Sequence, residues 1–314
     1  MNRLQDVYPQ DRIILREVGL RDGLQLVKKF PSTAAKQRWI REEYAAGVRH
    51  FEVGSFLPAN TFPQFVDVRD IIQTVGALPD AYGIALTLNE RGVNEALASG
   101  VAEVATVVSA TEEHSQANAN RTRESAIANV KRLCELRDAS EHRPIVNAAI
   151  SMALGCSIVG AVDPLEVLRI TEKLFEAGAD MVAIADTVGY AGPKHVGELT
   201  ARAVKIAGNK PICIHLHDTR GMGIANASAA LDAGARVLDG SLGGLGGCPF
   251  APGATGNVVF EDLAFRCESK GFKTGLDIEK LIAVRAILKS EMPGEALYGG
   301  MARAGLPGGA AKAA

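Results

Sequence analysis

Two histidines at the end of an apolar segment are the residues of this chain best placed to do chemistry. Residues 212–219 are mostly β-branched or apolar, which predicts a buried strand, and they include His215 and His217. Because alternate residues of a strand share a face, both imidazoles should point the same way. Imidazole is a common ligand of divalent metals, so the pair predicts a metal site. Two hydrogen-bonded core histidines are the alternative interpretation.

Asp22 and Asn257 are the best candidates to complete such a site. Two imidazoles and a carboxylate supply half of an octahedral shell, which leaves positions for water or substrate oxygens. Asn257 can add a neutral amide oxygen. Nitrogen and oxygen ligands without a thiolate favour Mg²⁺ or Mn²⁺, although two histidines also suit Zn²⁺ or Co²⁺. In the alternative interpretation, Asp22 is a turn residue before Gly23, and Asn257 is a loop or cap residue.

Three further residues have types that suit acid–base or electrostatic roles. Arg21 can stabilise an oxyanion or clamp a carboxylate, or it can form a surface salt bridge. Glu52 lies in an apolar segment, where a carboxylate needs a partner; it can position Arg21 or a metal-bound water, or form a structural ion pair. Cys248 lies in the glycine-rich segment 243–257, which suits a lid, so its thiol can give or take a proton. The other four cysteines are expected to be inert and buried.

A weak internal repeat indicates the elements that position these residues. Gly47, Gly100, Gly178 and Gly234 each follow a helix-like segment and precede a short apolar one, as expected for glycine at a helix C-terminus. Eight apolar segments are predicted as strands, and they are 13–18, 50–53, 82–88, 104–108, 145–150, 181–185, 212–217 and 236–241.

Segments long enough for helices separate these strands, including 32–46 and 164–177. Apolar strands that alternate with helices predict a parallel sheet, and eight such units match the α/β fold of a (β/α)₈ TIM barrel. The alternative, a doubly wound open sheet, is weakened because no GxGxxG follows the first strand. Helices around 261–269 and 277–289 form a C-terminal helical extension. We expect a catalytic domain over 1–290 and a tail over 291–314.

A barrel predicts that functional side chains lie at the carboxyl ends of its strands. Polar residues stand at these positions in seven of the eight predicted strands. They include Asp22 after the first strand, Asn89 after the third, Ser151 after the fifth, and Asp186 and Thr187 after the sixth. The sequence therefore predicts one polar mouth at this end of the barrel.

Composition limits the classes of partner. The formal charge of −2 gives no electrostatic reason to expect nucleic acid or an anionic membrane surface as a partner. Five cysteines without a CxxC pair argue against a disulfide framework, so we expect a reducing, cytoplasmic location. No signal-peptide core is evident, and no stretch reaches the ~18 consecutive apolar residues of a membrane span.

Three motifs together resemble a known family. Residues 17–25 (EVGLRDGLQ), residues 215–219 (HLHDT), and residues 243–257 followed by 261–263 (EDL) are similar to the 3-hydroxy-3-methylglutaryl-CoA (HMG-CoA) lyase family of the DRE-TIM metallolyase superfamily. The first two motifs are shared across that superfamily, which also contains Claisen-condensing enzymes. The Gly-Gly-Cys-Pro-Phe-Ala loop resembles the lyase branch. The resemblance covers roughly residues 14–287.

The resemblance implies a TIM barrel, an acyl-CoA substrate, a divalent cation and a homodimer. It assigns metal ligation to Asp22, His215, His217 and Asn257. It assigns catalytic roles to Arg21, Glu52, Asp186 and Cys248, and substrate binding to Arg21, Gln25, Ser151 and Thr187. The expected reaction is retro-Claisen cleavage of an HMG-CoA-like substrate to acetyl-CoA and a keto acid such as acetoacetate.

Some segments at the mouth depart from the family pattern. Leu26 and Val27 stand where the lyases usually have Asn and Glu, residues 55–59 lack Ser-Pro-Lys, and residues 109–114 are more charged. The acyl group is therefore open, and citramalyl-CoA is one alternative substrate. A Claisen-condensing acyltransferase similar to 2-isopropylmalate or homocitrate synthase, and a non-catalytic metal-binding barrel, are further alternatives. The general base is open between Asp186, His215, Cys248 and a metal-bound water.

Overall fold

The computed structural model describes residues 3–247 and 256–307. Eight parallel strands form a closed barrel in which each strand pairs with the next and the last pairs with the first. The strands are β1 (Ile14–Glu17), β2 (His50–Ser55), β3 (Tyr82–Leu86), β4 (Glu103–Ser109), β5 (Ile145–Ser151), β6 (Met181–Asp186), β7 (Ile212–Leu216) and β8 (Val237–Gly240). The predicted TIM barrel is confirmed, and the observed ends of the strands differ from the predicted ends by at most two residues.

The helices surround the barrel or extend it. They are α1 (Arg3–Val7), α2 (Thr33–Ala45), α3 (Val68–Gly76), α4 (Glu90–Leu97), α5 (Glu112–Ala119), α6 (Arg123–Ala139), α7 (Pro164–Glu176), α8 (Pro193–Ala207), α9 (Gly223–Asp232), α10 (Phe260–Ser269), α11 (Ile278–Glu291) and α12 (Gly300–Ala304). None of these helices, which belong to the described part of the chain, is long and apolar enough to cross a membrane.

The four glycines of the internal repeat mark the passage from helix to strand. Gly47, Gly100, Gly178 and Gly234 have φ values between 77° and 103°, in the left-handed region that favours glycine. Each one ends a helix and turns the chain into the following strand. The repeat seen in the sequence is therefore the repeating βα unit of the barrel.

Apolar packing holds the helices to the barrel and closes its bottom. A large core of buried aliphatic side chains lies between the strands and the helix ring. A smaller cluster joins Val7 and Tyr8, at the end of α1, to residues near the amino-terminal ends of β1, β5, β6, β7 and β8. Helix α1 therefore plugs the amino-terminal end of the barrel, and the opposite end stays open for ligands.

The C-terminal extension packs on the barrel. The apolar side chains Ile278, Leu281, Val284 and Leu288 of α11 are buried in the main core. Part of the predicted 291–314 tail is also docked, because the Asp262 carboxylate accepts hydrogen bonds from the first residues of α12.

Candidate active site

A cavity of about 310 Å³ opens at the carboxyl ends of the strands. Its wall includes most of the side chains predicted from the sequence to be functional. These are Arg21, Asp22, Gln25, Glu52, Ser151, Thr187, His215 and His217. The barrel thus brings together residues that are almost two hundred positions apart in the chain.

A single turn of π-helix, Gly19–Gly23, presents Arg21 and Asp22 to the cavity. The backbone N–H groups of Arg21, Asp22 and Gly23 all point at the carbonyl oxygen of Val18, at 2.8–3.2 Å. A Cβ atom on Gly19 would lie 2.4 Å from Oε1 of Glu17, so this turn requires glycine there. Single π-turns are uncommon and often occur at functional sites.

Glu17 anchors this turn to the segment that follows β8. Its carboxylate accepts hydrogen bonds from the backbone N–H of Gly19 at 2.6 Å and of Leu242 at 3.0 Å. Glu17 is fully buried, and burial raises its pKa well above the usual range, although these two backbone bonds oppose that rise. The carboxylate therefore fixes the relative position of the two turns that border the cavity.

The predicted metal ligands Asp22, His215 and His217 lie together. Their ligand atoms are all within 4.8 Å of one another, a geometry that can hold a metal ion. Oδ2 of Asp22 is 3.6 Å from Nε2 of His217, and the two imidazole centroids are 5.2 Å apart. The two histidines are therefore a pair that faces the cavity, as predicted, and not separate core residues.

Asn257 completes the group from the other side. Its backbone bridges to His217, and its Nδ2 donates to Oδ2 of Asp22 at 2.7 Å and to the carbonyl of Leu245 at 3.0 Å. The Oδ1 atom of Asn257 is buried and has no hydrogen-bond partner among the described residues. A buried oxygen without a partner normally needs an explanation, such as an ion. The donor set of imidazole, carboxylate and amide oxygen fits a divalent cation.

The charges around Asp22 keep it ionised. Burial alone would raise the pKa of Asp22, but Arg21 and the two imidazoles outweigh burial and hold this pKa well below its usual range. For His215, burial lowers the pKa, and the hydrogen bond to Asp239 with the nearby Asp22 carboxylate raises it above the usual value. Asp22 therefore offers an ionised carboxylate beside two imidazoles.

Arg21 is held by three partners. Its Nε lies 2.7 Å from Oε1 of Glu52, and its Nη1 donates to Asp22 at 2.8 Å and to Gln25 at 3.1 Å. The side chains of Arg21 and Glu52 are only 14% and 7% exposed, so their ion pair is shielded from water. The alternative interpretation, in which Arg21 forms a salt bridge on the protein surface, is wrong. Glu52 instead holds the guanidinium in the cavity wall.

One predicted catalytic residue, Asp186, is not among the side chains that line the cavity. Asp186 is fully buried, and its oxygens accept hydrogen bonds from the backbone N–H groups of Tyr190 at 2.8 Å and Ala191 at 3.1 Å. Burial raises its pKa, while the two backbone bonds oppose that rise. The carboxylate is thus turned into the loop that follows β6 and away from the cavity. Cys248 lies outside the described residues.

The two other predicted substrate-binding residues line the cavity on the side of β5 and β6. The Thr187 hydroxyl accepts a hydrogen bond from the backbone N–H of Met152 at 2.9 Å. The Ser151 hydroxyl lies 3.5 Å from that of Ser109, which is 2.8 Å from Nδ1 of His114. His114 also lines the cavity, and sequence reasoning noted its segment only as unusually charged. This side of the wall therefore offers hydroxyl and imidazole groups.

Asp239 is a second residue that sequence reasoning missed. Its Oδ2 lies 3.0 Å from Nδ1 of His215. A carboxylate at Nδ1 fixes the imidazole so that Nε2 is the nitrogen left for a metal. The signal was present in the sequence, because Asp239 interrupts an apolar strand in the same way as Glu52 does.

Comparisons with known proteins agree with this geometry. The HMGL-like family matches residues 12–288. The hydroxymethylglutaryl-CoA lyase of Bacillus subtilis is 34% identical over 91% of this chain and 94% of its own length. The enzyme of Pseudomonas mevalonii is 35% identical over 88% of this chain and 91% of its own length.

Solved structures give the same result for the fold. The crystal structure of the B. subtilis HMG-CoA lyase superposes with a TM-score of 0.87 at 32% identity, and it covers 94% of this chain and 98% of its own. An Acinetobacter baumannii HMG-CoA lyase in complex with coenzyme A and 3-methylmalate superposes with a TM-score of 0.89 at 30% identity, over 98% and 99% of the two chains. Since the sequence match spans nearly the whole barrel, the chain belongs to the HMGL-like family.

Proposed function

We propose that this protein is a metal-dependent carbon–carbon lyase that cleaves HMG-CoA to acetyl-CoA and acetoacetate. The observation that carries the proposal is the convergence of Asp22, His215 and His217 beside Arg21 in one cavity. The relatives that share the whole barrel are named HMG-CoA lyases, which supports the same reaction here.

The proposed cation is Mg²⁺ or Mn²⁺, held by Asp22, His215, His217 and Asn257. When bound, a divalent ion supplies Lewis-acid chemistry and lowers the pKa of a substrate hydroxyl. The low pKa of Asp22 keeps this ligand charged at neutral pH, so the site does not have to lose a proton from Asp22 before it binds a cation.

Arg21 is proposed to stabilise negative charge on the substrate. Cleavage of the C–C bond releases acetyl-CoA as its enolate, and the developing charge lies on the thioester oxygen. A guanidinium held in place by Glu52 and Gln25 needs little reorganisation to meet that charge. Glu52 therefore acts as the positioning residue for Arg21, which was one of the alternatives that the sequence left open.

We revise the proposed role of Asp186. Both of its carboxylate oxygens are occupied by backbone N–H groups of residues 190 and 191, so we propose that Asp186 shapes the loop after β6 and does not carry the substrate proton. Gln25, Ser151 and Thr187 line the cavity and are proposed to contact the substrate. Protonation of the enolate carbon by Cys248 remains a prediction from the sequence.

The expected partner is an acyl-CoA. Coenzyme A is bound in the A. baumannii relative, which supports this class of substrate for the present chain. A homodimer and a cytoplasmic location also remain predictions, and sedimentation velocity of the purified protein would test the first of them.

One assay tests the proposed function. Protein stripped of metal is incubated with HMG-CoA, with and without Mg²⁺ or Mn²⁺, and acetyl-CoA is measured by chromatography. We expect acetyl-CoA only when metal is present. Citramalyl-CoA serves as the alternative substrate, and acetyl-CoA with 2-oxoisovalerate tests for condensation. Condensation without cleavage, cleavage of citramalyl-CoA but not of HMG-CoA, or no cleavage of either compound by metal-loaded protein would contradict the proposal.

A further inference from the structure

A continuous set of buried polar side chains crosses the barrel interior from α1 to the candidate metal site. Arg16 of β1, which is 4% exposed, is its central member. The guanidinium donates to both oxygens of Asp239, from Nε at 2.6 Å and from Nη2 at 3.0 Å. Its Nη1 donates to Oε1 of Glu103 at 2.9 Å. Pairing through two parallel hydrogen bonds fixes the orientation of both groups as well as their distance.

Glu103 is itself fixed by two other buried side chains. The hydroxyl of Tyr8, which follows the plug helix α1, donates to Oε2 of Glu103. The Nδ2 atom of Asn147 donates to Oε1 at 3.0 Å. Tyr8, Glu103 and Asn147 are each no more than 2% exposed. Arg16 is therefore held between two carboxylates, and one of them is anchored to the floor of the barrel.

The set ends at a candidate metal ligand. Oδ2 of Asp239 receives Nη2 of Arg16 and also lies 3.0 Å from Nδ1 of His215. Any rotation of the Asp239 carboxylate would break the bond to His215. Arg16 grips both oxygens of this carboxylate, so it prevents the rotation.

We propose that Arg16 is a positioning residue for the metal site, acting through Asp239 to hold His215 with its Nε2 toward the cation. The inference rests on the proposed function, which gives His215 its role as a ligand. It adds that the orientation of this ligand is set inside the barrel, by an arginine that is not itself one of the proposed ligands.

A purely structural role for the Arg16 ion pairs makes different predictions. If the ion pairs are only structural, removing Arg16 should lower the stability of the barrel without changing its affinity for metal. The chain offers a matched control, because Arg137 forms a partly buried ion pair with Asp180. That pair lies at the amino-terminal ends of the strands, where Asp180 also accepts the backbone N–H of Val146. Arg137→Met thus removes an arginine ion pair far from His215.

The test compares Arg16→Met, Arg16→Lys and Arg137→Met with the wild-type protein. Free Mn²⁺ is measured by electron paramagnetic resonance to give Kd. The His215 tautomer of the metal-free protein is read from two-bond ¹H–¹⁵N spectra. We expect Arg16→Met to raise the Kd for Mn²⁺ by about 10- to 100-fold, as for other outer partners of metal-binding histidines, and to mix the tautomers. Arg16→Lys should give a smaller effect, because an ammonium cannot pair with both oxygens in the same way.

Arg137→Met should leave Kd within about twofold of wild type. A folded Arg16→Met protein with wild-type Kd and an unchanged tautomer would overturn the proposal. If Arg16→Met does not fold, Glu103→Gln keeps the shape of the network and weakens its hold on Arg16. We then expect a smaller rise in Kd in the same direction, and no rise would overturn the proposal.

These readouts need no substrate, so they separate this inference from the proposed reaction. A wild-type protein that binds Mn²⁺ but does not cleave HMG-CoA would refute the proposed reaction and leave the metal site standing. A wild-type protein that binds no Mn²⁺ would refute the metal site and, with it, the role proposed for Arg16.

Discussion

Replacing Glu52 by Gln tests how Arg21 acts. The substitution keeps the shape of the side chain but removes the charge that lies 2.7 Å from Nε of Arg21. Arg21 would still contact Asp22 at 2.8 Å and Gln25 at 3.1 Å, so it should stay in the cavity with a less fixed orientation. The expected result is a lower kcat with little change in the affinity for metal.

The structure sets the size of this effect. The contact between Arg21 and Glu52 is an ion pair that is largely shielded from water. Losing a preorganised charge-stabilising donor altogether typically costs about 2.7–4 kcal/mol, and loosening Arg21 should cost somewhat less. A loss of about 2 kcal/mol of transition-state stabilisation corresponds to a roughly 30-fold lower kcat, since about 1.4 kcal/mol of activation free energy changes the rate tenfold. Removing the guanidinium itself, in Arg21→Met, should lower kcat by about 10²- to 10³-fold.

The assay is acetyl-CoA formation from HMG-CoA at saturating metal, with Mn²⁺ Kd measured on the same samples. The double variant provides the control: if Glu52 acts only through Arg21, then Glu52→Gln should have almost no further effect in the Arg21→Met background. Wild-type kcat in Glu52→Gln, or full additivity in the double variant, would refute the positioning role.

Three other substitutions give separate tests. Asp22→Ala should abolish turnover and weaken Mn²⁺ binding by at least 100-fold, as measured by kcat and Kd, because it removes the charged ligand. Asp186→Asn should lower stability by about 1–3 kcal/mol in denaturant titrations, since an amide cannot accept from both backbone N–H groups, and wild-type stability would contradict the loop role. Glu43 is a fully buried residue of α2, and Glu43→Gln should raise the melting temperature at pH 8 more than at pH 5. Burial and the nearby Glu17 carboxylate raise the pKa of Glu43 in the folded protein, so stability falls as pH rises from the unfolded pKa of about 4.3 to the folded one. An equal change at both pH values would contradict this reasoning.

The fold could be predicted because strands buried on both faces have nearly continuous apolar sequences. The same logic placed Asp22, His215 and Glu52 at the open end of the barrel, since position in a strand determines which end a residue reaches. Position does not determine the side-chain rotamer. Asp186 follows β6 as predicted, yet the free N–H groups of the next loop capture its carboxylate, as often happens with aspartate in loops.

Asp239 could not be interpreted without the closed barrel. Its partner Arg16 is 223 residues away in the chain, and the two are register partners across β1 and β8. The contact exists only because the last strand pairs with the first. A sequence pattern can show that a buried carboxylate needs a partner, but it cannot identify one that only the closure of the sheet supplies.

The same closure explains why metal should stabilise the whole barrel. Asp22 follows β1, His215 and His217 belong to β7 and its end, and Asn257 follows β8, so the ligands meet only when the sheet is closed. A cation that binds the closed protein and not the unfolded chain adds about 2.7 kcal/mol at 100 times its Kd. For a domain of this size we expect a rise of roughly 5 °C in melting temperature. Asp22→Ala is the control and should lose this rise. If chelation of the metal leaves the melting temperature of the wild-type protein unchanged, the ligands do not join the two ends of the sheet through a cation.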